Sequence, residues 1–406
     1  MPSPRFLIAL ASLQWIVQAK AQLPIEPSKS TTGSMATLME FKLPASAPVE
    51  GLLEFQNGVT VPYQKEPSSS RAWFVWNHTN RSQKALKATL RPPISPRAST
   101  PKLTVDPNPS NGQIPFKFGD RSVLTYQSKP GPLPRADIEP IYTRGGYIHP
   151  IYSPSGRLVS DDFPPNHIHH HGIWSPWTKT EFEGRSPDFW NMGQGKGRVE
   201  FVRSTAPESG RIFGALSAHH RFVDSTIQPE RTALNERWDL RVYSLTQFNG
   251  HPCHIFDVTL DQSCATESAL KLPKYHYGGL GFRGHRLWDG AANCQFLAST
   301  GETNRIAGNE TRANWCWVGG NVEGQLTGIA ILCHPSNFRA PQPMRLHPTE
   351  PFFCFAPSQL GDWSIEPNLP YHAEYRFVVF DGAPNRDWLN QLWTDYAHPP
   401  SLQLTN

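Results

Sequence analysis

A dense histidine cluster is the feature of this chain whose residue types and spacing could do chemistry. Four histidines fall within five positions of the segment 166–174, which reads Asn-His-Ile-His-His-His-Gly-Ile-Trp. Histidine titrates closest to neutral pH and is the commonest metal ligand. Clustered imidazoles are costly unless they are solvated, hydrogen-bonded or liganded. The segment therefore predicts a functional site built on His167, His169, His170 and His171.

The spacing of these histidines permits either a metal site or acid–base chemistry. In an extended chain, His167, His169 and His171 would share one face and His170 would lie on the other. The candidate ligands for a divalent metal are His167, His169 and His170, and Glu181, Asp188 or a distant histidine could complete the site. The alternative is that the imidazoles are solvated or bind the backbone of a long loop.

Segments far along the chain carry further candidate site residues. The segment 275–283 joins aromatic, imidazole and guanidinium groups to a glycine-rich turn, and it lacks the Lys-Ser/Thr ending of a phosphate loop. His334 and Asn337 follow an apolar run, and the end of a strand is where rigid scaffolds present functional side chains. For His334, an ordinary turn histidine is the alternative.

The mixture of residue types favours a carbohydrate or sugar-derived small molecule as the ligand. A pair of carboxylates would suit glycoside hydrolysis, whereas a histidine with an arginine would suit proton abstraction next to a carbonyl. The candidate catalytic residues are His169, His170, His276 and His334. The candidate substrate-binding residues are Arg144, His149, His167, Trp174, Asp188, Trp190, Tyr277, Arg283, Asn337 and Arg345.

Three classes of function remain open at this point. The first is an exported enzyme that acts on a sugar, glycoside or sugar derivative, as a hydrolase, lyase or isomerase, with His169 or His170 as the acid–base group and Arg283 orienting the substrate. The second is a non-catalytic carbohydrate-binding protein, in which Trp174 or Trp190 would matter more than the imidazoles. The third is a metal-dependent oxidoreductase. An enzyme requires that the distant histidines converge on one pocket, namely His149, His169 or His170, His276 and His334.

Short β-strands are the elements that must position these side chains. The 40 Pro and 30 Gly residues interrupt the chain too often for long helices. Runs such as 198–202, 238–243 and 254–260 alternate apolar and polar residues, as half-buried antiparallel strands do. The Asn57-Gly58 pair predicts a hairpin turn, and residues 385–393 have the spacing of an amphipathic helix. The pattern predicts an all-β protein, a large antiparallel β-sandwich with few short helices.

The N-terminus predicts export. Arg5 precedes an apolar run that ends at Ala19-Lys20-Ala21, a pattern typical of a cleaved signal peptide over residues 1–21. A flexible lead-in follows over 22–35, then an N-terminal β-strand region over 36–127, the main β-sandwich region over 128–395 and a C-terminal tail over 396–406. We expect a periplasmic or secreted protein, with no transmembrane segment after the signal peptide.

Charge and cysteine content narrow the choice of partners. The formal net charge of +4 is small and no long basic block is present, so nucleic acid is not expected as a partner. The chain has six cysteines, an even number that allows disulfides in an exported protein. Buried free thiols are the alternative for the cysteines that lie in apolar runs.

Several ordered blocks resemble a bacterial domain family of unknown function that carries the label PmoA. The blocks are 144–150, 166–172, 188–190, 277–280, 334–337 and 375–382, and the resemblance covers roughly residues 115–395. It implies an antiparallel β-supersandwich of the galactose-mutarotase type and a carbohydrate-related role. The usual pattern of that family at the histidine cluster is close to Asp-His-x-His-His-Arg-Gly. This chain departs from it with Asn166 in place of the acid and His171 in place of the arginine.

Overall fold

The computed structural model describes residues 35–44, 46–67, 69–78, 85–92, 102–106 and 111–405. The expected signal peptide and nearly all of the expected lead-in lie outside these residues. The first strands are β1 (Met35–Lys42), β2 (Glu50–Phe55), β3 (Thr60–Lys65), β4 (Arg71–His78), β5 (Ala85–Arg91), β6 (Leu103–Val105), β7 (Gln113–Phe118), β8 (Arg121–Gln127), β9 (Tyr147–Ile151), β10 (Ile173–Trp174), β11 (Gly197–Ser204), β12 (Phe213–Asp224) and β13 (Arg231–Tyr243).

The second half of the chain continues in the same way. Its strands are β14 (Gln247–Phe248), β15 (His251–Pro252), β16 (His254–Cys264), β17 (Leu270–Leu272), β18 (Gly281–Arg283), β19 (Cys294–Ala298), β20 (Trp315–Val322), β21 (Gln325–Cys333), β22 (Met344–Leu346), β23 (Phe352–Phe355), β24 (Trp363–Ile365), β25 (Tyr371–Asp381) and β26 (Ser401–Thr405). The α-helices among the described residues are α1 (Arg305–Gly308) and α2 (Arg386–Ala397), and single 3₁₀ turns lie at Pro140–Tyr142, Met192–Gln194, Arg286–Trp288 and Pro357–Leu360.

The strands form three large sheets and two short ribbons. The N-terminal sheet has the order β1-β4-β3-β2-β5-β26, the front sheet β22-β23-β18-β10-β9-β8-β7-β6, and the central sheet β11-β12-β13-β16-β25-β21-β20-β19. Neighbouring strands pair antiparallel, except that β26 runs parallel to β5. The prediction of an all-β antiparallel sandwich with few short helices is therefore confirmed.

The main hydrophobic core lies between the front and central sheets. Front-sheet residues such as Ile148 and Phe355 belong to the same buried cluster as the central-sheet residues Leu240 and Tyr375, and the rings of Phe355 and Tyr375 stack with centroids 5.6 Å apart. Complete burial of a side chain of this size contributes about 1.5–3 kcal/mol. The alternation seen in the sequence thus places one face of each strand in this core.

The N-terminal sheet and helix α2 cover the other face of the central sheet. Leu38 and Trp73 of the N-terminal sheet share a buried cluster with Phe213 of the central sheet and Leu389 of the helix. The predicted helix is present, and the side chain of Asn385 caps it by accepting a hydrogen bond from the Trp388 amide.

The boundaries between the sheets do not coincide with the region boundaries expected from the sequence. Strands β6 to β8, within the expected N-terminal region 36–127, belong to the front sheet. The expected C-terminal tail contains the end of α2 and the strand β26, which completes the N-terminal sheet. The N-terminal sheet therefore combines both ends of the described chain.

The cysteines and the α-helices bear on two further predictions, those concerning disulfides and membrane-spanning segments. All six cysteines are free thiols, and five of them are buried. Of the two alternatives left open by the sequence, disulfides and buried free thiols, the structure shows free thiols held by apolar packing in and beside the strands. Within the described ranges, neither α-helix has the length and apolar character needed to cross a bilayer.

Candidate functional site

The histidine cluster lies on the outer face of the front sheet, away from the main core. On strands β10 and β23, Ile173 and Phe353 point into the core, whereas their neighbours Trp174 and Phe352 belong to a separate buried cluster. Because side chains alternate across a strand, each of these strands serves the core with one residue and the site with the next. Trp190 and Cys354 complete the apolar floor of the site.

A compact loop between β9 and β10 carries the histidines. Its turns are closed by backbone hydrogen bonds, including one from the His170 amide to the His167 carbonyl (2.8 Å) and one from the Phe163 amide to the His170 carbonyl (3.1 Å). At Gly172 a Cβ atom would lie 2.2 Å from the carbonyl oxygen of Ile148. Glycine is thus required where the loop re-enters the sheet.

The imidazoles stack into a short column rather than pointing at one centre. His170 stacks on Phe352 with ring centroids 4.8 Å apart, and His167 stacks on His170 at 4.7 Å and 18°. The rings of His169 and His347 pack edge-on against this column, His169 at 4.7 Å from His170 and His347 at 5.7 Å from His167. His170 is buried, while His167, His169 and His347 are partly exposed at the mouth.

A pair of carboxylates shares one buried arginine beside this column. The Arg283 side chain is completely buried; its Nη1 donates to Glu350 Oε2 (2.6 Å) and its Nη2 donates to Asp289 Oδ1 (2.5 Å). The amide of Asn166 also donates to Glu350 Oε2 (2.6 Å). The negative charge of Glu350 disfavours ionisation of Asp289 on the same arginine.

The environment separates the pKa values of the two carboxylates. Burial and the neighbouring Glu350 raise the pKa of Asp289 to about 6, against the lowering influence of Arg283. Burial also acts to raise the pKa of Glu350, but the hydrogen bond and charge of Arg283 outweigh it and leave that pKa below its ordinary value. Carboxylates whose pKa values are driven apart in this way are typical of acid–base sites.

The histidines at the mouth are neutral at physiological pH. Burial lowers the pKa of His169 to about 4 and that of His347 to about 4, and neighbouring cationic groups contribute in the same direction. The Nδ1 atom of His347 accepts hydrogen bonds from the amides of Thr349 (3.3 Å) and Glu350 (3.0 Å). Its proton therefore resides on Nε2, where it can be donated to a ligand.

A second buried network supports the loop from behind. The Asp162 carboxylate receives a hydrogen bond from the Tyr147 hydroxyl (2.9 Å) and lies 2.5 Å from His171 Nδ1. Burial raises the pKa of Asp162 to about 6 and keeps the pKa of His171 well below its ordinary value. His149 lies nearby, with Nδ1 2.9 Å from the Ser160 hydroxyl. This network positions the loop but lies beneath its surface.

Several predicted substrate-binding residues are structural instead. Trp174 and Trp190 are 0% and 1% exposed, so they cannot present a ring face to a sugar. Arg144 is buried and donates to the backbone carbonyls of Gly145 and Gly146. Asp188 caps a turn by accepting from the amides of Trp190 and Asn191. Packing and backbone hydrogen bonds thus already use the groups of Trp174, Trp190, Arg144 and Asp188 that a substrate would need, and their contact with a substrate stays a prediction.

Arg283 also departs from its predicted role. Its complete burial and its ion pairs with Glu350 and Asp289 leave it to hold the carboxylates rather than to orient a substrate directly. His276 is exposed and packs on Tyr277 at 4.8 Å, and Tyr277 packs on Trp190 at 5.2 Å. Burial lowers the pKa values of both His276 and His347, and the positive charge of Arg345 contributes in the same direction. His276, Tyr277 and Arg345 therefore border the site.

His334 and Asn337 lie elsewhere in the molecule. His334 packs on Tyr396 at 5.0 Å and lines a cavity with residues of the N-terminal sheet and α2. Asn337 is buried and donates to the Glu374 carbonyl (2.8 Å). The prediction that His334 converges with the histidine cluster is wrong, because β21, the strand that it follows, belongs to the central sheet and not to the front sheet.

The candidate metal ligands do not form a ligand set. Of the described residues, no group of three His, Cys, Asp or Glu side chains is arranged to hold a metal ion. The stacked rings of His167 and His170 lie nearly parallel, so their nitrogens cannot converge on one ion without rearrangement. The side chains present in this site do not fit a metal centre.

Six buried nitrogens of the site have no hydrogen-bond partner within the described part of the chain. They are His167 Nδ1, His170 Nδ1, His171 Nε2, Trp174 Nε1, Trp190 Nε1 and Arg283 Nε. Most buried polar groups in folded proteins are hydrogen-bonded. Since indole nitrogens of the main core, such as that of Trp238, are also unpartnered, these nitrogens are not specific to a ligand site.

Sequence reasoning missed the residues that make this site distinctive, Glu350, Asp289 and His347. Glu350 and Asp289 gain their role only from contact with Arg283, which is 67 positions before Glu350 in the chain. The His347-Pro-Thr-Glu350 segment was a usable signal, because a proline-rich loop that pairs an imidazole with a carboxylate resembles other functional loops. Its backbone is held by Arg305, which donates to the carbonyls of His347 (2.9 Å) and Glu350 (3.3 Å).

Comparison with known proteins places most of this architecture in one family. No curated protein matches the chain. A family model, described as a family of unknown function (DUF6807), matches residues 113–394. This range includes the front and central sheets from β7 onward, the histidine loop, the carboxylate pair and most of α2, and it leaves out strands β1 to β6 and β26. The chain therefore belongs to the DUF6807 family, whose function is unknown.

Proposed function

We propose that the histidine cluster is the active site of an enzyme that transfers protons on a sugar or sugar derivative, as an isomerase or lyase. The observation that carries the proposal is the carboxylate pair on Arg283, because Asp289 has a pKa of about 6 and its partner Glu350 lies 3.9 Å from the imidazole of His167. A general base is most effective when its pKa is near the working pH. The resemblance to the PmoA-labelled family, with its implied galactose-mutarotase type of fold and sugar-processing associations, supports a carbohydrate substrate.

The separation of the carboxylates favours proton transfer over glycoside hydrolysis. Retaining and inverting glycosidases hold their two carboxyl groups about 5–5.5 Å and about 6.5–9.5 Å apart, with the sugar between them. Asp289 and Glu350 both accept from the Arg283 guanidinium, which places them side by side rather than on opposite faces of a sugar ring. They act instead as one unit, in which Glu350 holds the negative charge and Asp289 exchanges the proton.

The proposed reaction uses the neutral imidazoles as hydrogen-bond donors. Asp289 takes a proton from the carbon next to a carbonyl of the open-chain sugar, and the electron pair of that C–H bond moves to the carbonyl oxygen. The Nε2–H of His347 donates to this oxygen, as its tautomer permits. His169, whose ring packs against His170, is a second neutral imidazole at the mouth. The hydroxyl proton of the deprotonated carbon then passes to the former carbonyl oxygen, and return of the proton from Asp289 to the former carbonyl carbon completes an isomerisation that needs no other reactant.

A purely carbohydrate-binding role has less support than an enzyme. Stacking platforms need exposed aromatic faces, and the two tryptophans of this region are buried. A metal-dependent oxidoreductase also has less support, because the histidines do not form a ligand set. Acid–base catalysis instead uses the groups whose pKa values this site shifts, namely Asp289, His169 and His347.

Hydrogen exchange at carbon tests the proposal without knowledge of the exact substrate. The protein is incubated in D₂O with a panel of aldoses, ketoses and oxidised sugars, and loss of C–H signals is followed by NMR. We expect exchange with at least one sugar, with a rate that rises with pH through about 6 as Asp289 loses its proton. The substitution Asp289→Asn should slow exchange by about 10²–10⁴ while binding is retained.

The matched control is Glu267→Gln, which changes an exposed carboxylate on another part of the surface. It should leave the exchange rate unchanged. Absence of exchange across the whole panel, or an unchanged rate in Asp289→Asn, would overturn the proposed function.

We also propose that the protein is exported. The support is the Arg5, apolar and Ala19-Lys20-Ala21 pattern of the first 21 residues. Intact mass measurement of the protein from a secreting host should give a chain that begins at Gln22. A mass that still includes the first 21 residues would contradict export by cleavage at this position.

A further inference from the structure

A second cavity lies between the N-terminal sheet and the central sheet. It has a volume of about 310 Å³ and is lined by residues of β1, β4, β13, β16, β25 and α2, together with His334. A volume of this size is at the lower end of the range for small-molecule sites. The N-terminal sheet supplies one wall of this cavity through strands β1 and β4. These two strands lie outside the residues that match the family.

Arginine–carboxylate pairs form the polar walls of this cavity. Arg376 donates through Nε and Nη2 to Asp257 at 2.8 Å each, and Arg71 forms a similar two-point pair with Glu40 at 2.7 and 2.9 Å. A two-point pair uses two of the five N–H donors of a guanidinium. Each pair can therefore offer both donors and acceptors to a bound molecule.

The formal charges of the lining balance. Among the described residues, the cationic side chains in the lining are Lys42, Arg71, Arg241 and Arg376. The carboxylates in the lining are Glu40, Asp257, Glu374 and Asp395. His334 adds no charge at neutral pH, since burial lowers its pKa. A balanced lining penalises a ligand with net charge of either sign and suits a neutral one that makes many hydrogen bonds.

Two buried polar atoms in this lining have no partner within the described residues. One is Nε of Arg241, whose guanidinium lies 3.7 Å over the ring of Trp73 and pairs with Glu66. The other is the hydroxyl of Tyr396. Arg241 is 3% exposed and Tyr396 is 9% exposed. An unmade hydrogen bond on a buried group is costly, and the side chains of both residues belong to the cavity lining.

We propose that this cavity is a binding site for a small neutral polyhydroxylated molecule of monosaccharide size. Hydroxyl groups donate and accept equally, which matches a lining of ion pairs, a free guanidinium N–H and a phenol hydroxyl. The site is separate from the histidine cluster and is independent of the function proposed for it. It also gives the N-terminal sheet a role, because the cavity exists only where this sheet covers the central sheet.

The test titrates the full-length chain with neutral D-glucose, D-galactose, D-xylose and myo-inositol, and with anionic D-gluconate and D-glucuronate, by saturation-transfer NMR and calorimetry. We expect binding of at least one neutral compound and none of its anionic counterpart at this site. Tyr396→Phe removes one hydroxyl with no internal hydrogen bond, and we expect it to weaken binding by about two- to tenfold with an unchanged melting temperature. Thr259→Val, which changes a second lining residue, should also weaken binding.

Asp289→Asn separates the two sites, because it alters the histidine cluster and leaves this cavity intact. Binding that survives Asp289→Asn and weakens in Tyr396→Phe supports the second site, whether or not the histidine cluster proves catalytic. Binding that is unaffected by Tyr396→Phe and Thr259→Val, preference for the anionic compounds, or no binding by any neutral compound would each overturn the proposal.

Discussion

The two polar sites of this protein use arginine in opposite ways. In the cavity behind the N-terminal sheet, Arg71, Arg241 and Arg376 each have a carboxylate of their own. At the histidine cluster, Arg283 faces two carboxylates at once. One guanidinium faces two negative charges there, and burial together with the charge of Glu350 raises the pKa of Asp289 to about 6. The first arrangement has fixed charges and suits recognition, whereas the second holds a mobile proton and suits chemistry.

Substitution of an arginine in each site should give the largest change in the free energy of unfolding, and its pH dependence should differ between the two sites. Arg283→Met and Arg376→Met each break a buried ion pair, and we expect each to lower the free energy of unfolding by about 3–5 kcal/mol at pH 8. The loss in Arg283→Met should shrink as the pH falls towards 5, because the two orphaned carboxylates then take up protons more readily than in the unfolded chain. Chemical denaturation at several pH values measures both losses.

Arg376→Met serves as the comparison for this pH dependence. Its orphaned carboxylate, Asp257, retains a hydrogen bond from the Tyr243 hydroxyl (2.7 Å) and has no second carboxylate hydrogen-bonded to it among the described residues. Its loss of stability should therefore vary less with pH than that of Arg283→Met. Equal pH dependence in the two variants would contradict the view that only the histidine site shares a proton.

The next predicted difference between the two sites is the loss of folding stability at acid pH, which comes from the buried imidazoles of the histidine cluster. His169 has a pKa of about 4 in the folded protein, below the value of about 6.5 in an unfolded chain. Between these values the unfolded chain binds more protons, so this group makes the folded protein less stable as the pH falls from 6.5 to 4. Asp162 acts in the opposite direction over part of this range, because its folded pKa is raised to about 6.

The substitution His169→Asn should reduce the acid-induced loss of stability by about 2 kcal/mol, after allowance for partial exposure. Denaturation curves at pH 7 and pH 4 give this difference. The control is His372→Asn near the other cavity, where hydrogen bonds to Asp261 and Glu374 raise the histidine pKa to about 10. His372 is charged in both states throughout most of the acid range, so its removal should leave the slope there unchanged. A slope unaffected by His169→Asn would refute the burial of a neutral imidazole.

The fold could be predicted because strands and helices depend on the local sequence pattern, whereas the site could be predicted only in part. Alternating runs such as 254–260 and the amphipathic spacing near Trp388 are properties of neighbouring residues, and the strand and the helix follow from them. The histidine loop was found by its composition. Its true partners were not, since the contact of Arg283 with Glu350 depends on the pairing of β18 with β23 and not on nearby sequence.

The expectations about His334 and Trp190 also differ from the structure because contacts between residues far apart in the sequence decide where these side chains lie. His334 was correctly seen to follow a buried strand, but the sequence does not state to which sheet that strand belongs. Trp190 was assumed to be available for stacking, whereas it fills the space above Gly281, where a Cβ would lie 3.0 Å from its ring. Composition identifies residues that can bind a sugar, but only packing decides whether their faces are exposed.

The smallest predicted effect concerns Asn166, which is hydrogen-bonded to both Glu350 and Arg283. Asn166 is exposed, and its amide donates to Glu350 Oε2 while its carbonyl oxygen accepts from Arg283 (3.3 Å). Asn166→Asp would remove the donor and place a third carboxylate at the pair. We expect a loss of about 1 kcal/mol or less in the free energy of unfolding at pH 7, because the residue is exposed and Arg283 remains close.

The informative readout of Asn166→Asp is the pH dependence rather than the stability. A third negative charge disfavours deprotonation of the pair, so the pH at which sugar C–H exchange reaches half its maximum should move above about 6. Asn166→Ala, which removes the amide without adding charge, is the matched control and should move this midpoint much less. If both substitutions leave the midpoint in place, the proton shared on Arg283 does not control the reaction, and the distinction between a site of fixed charges and a site with a mobile proton fails.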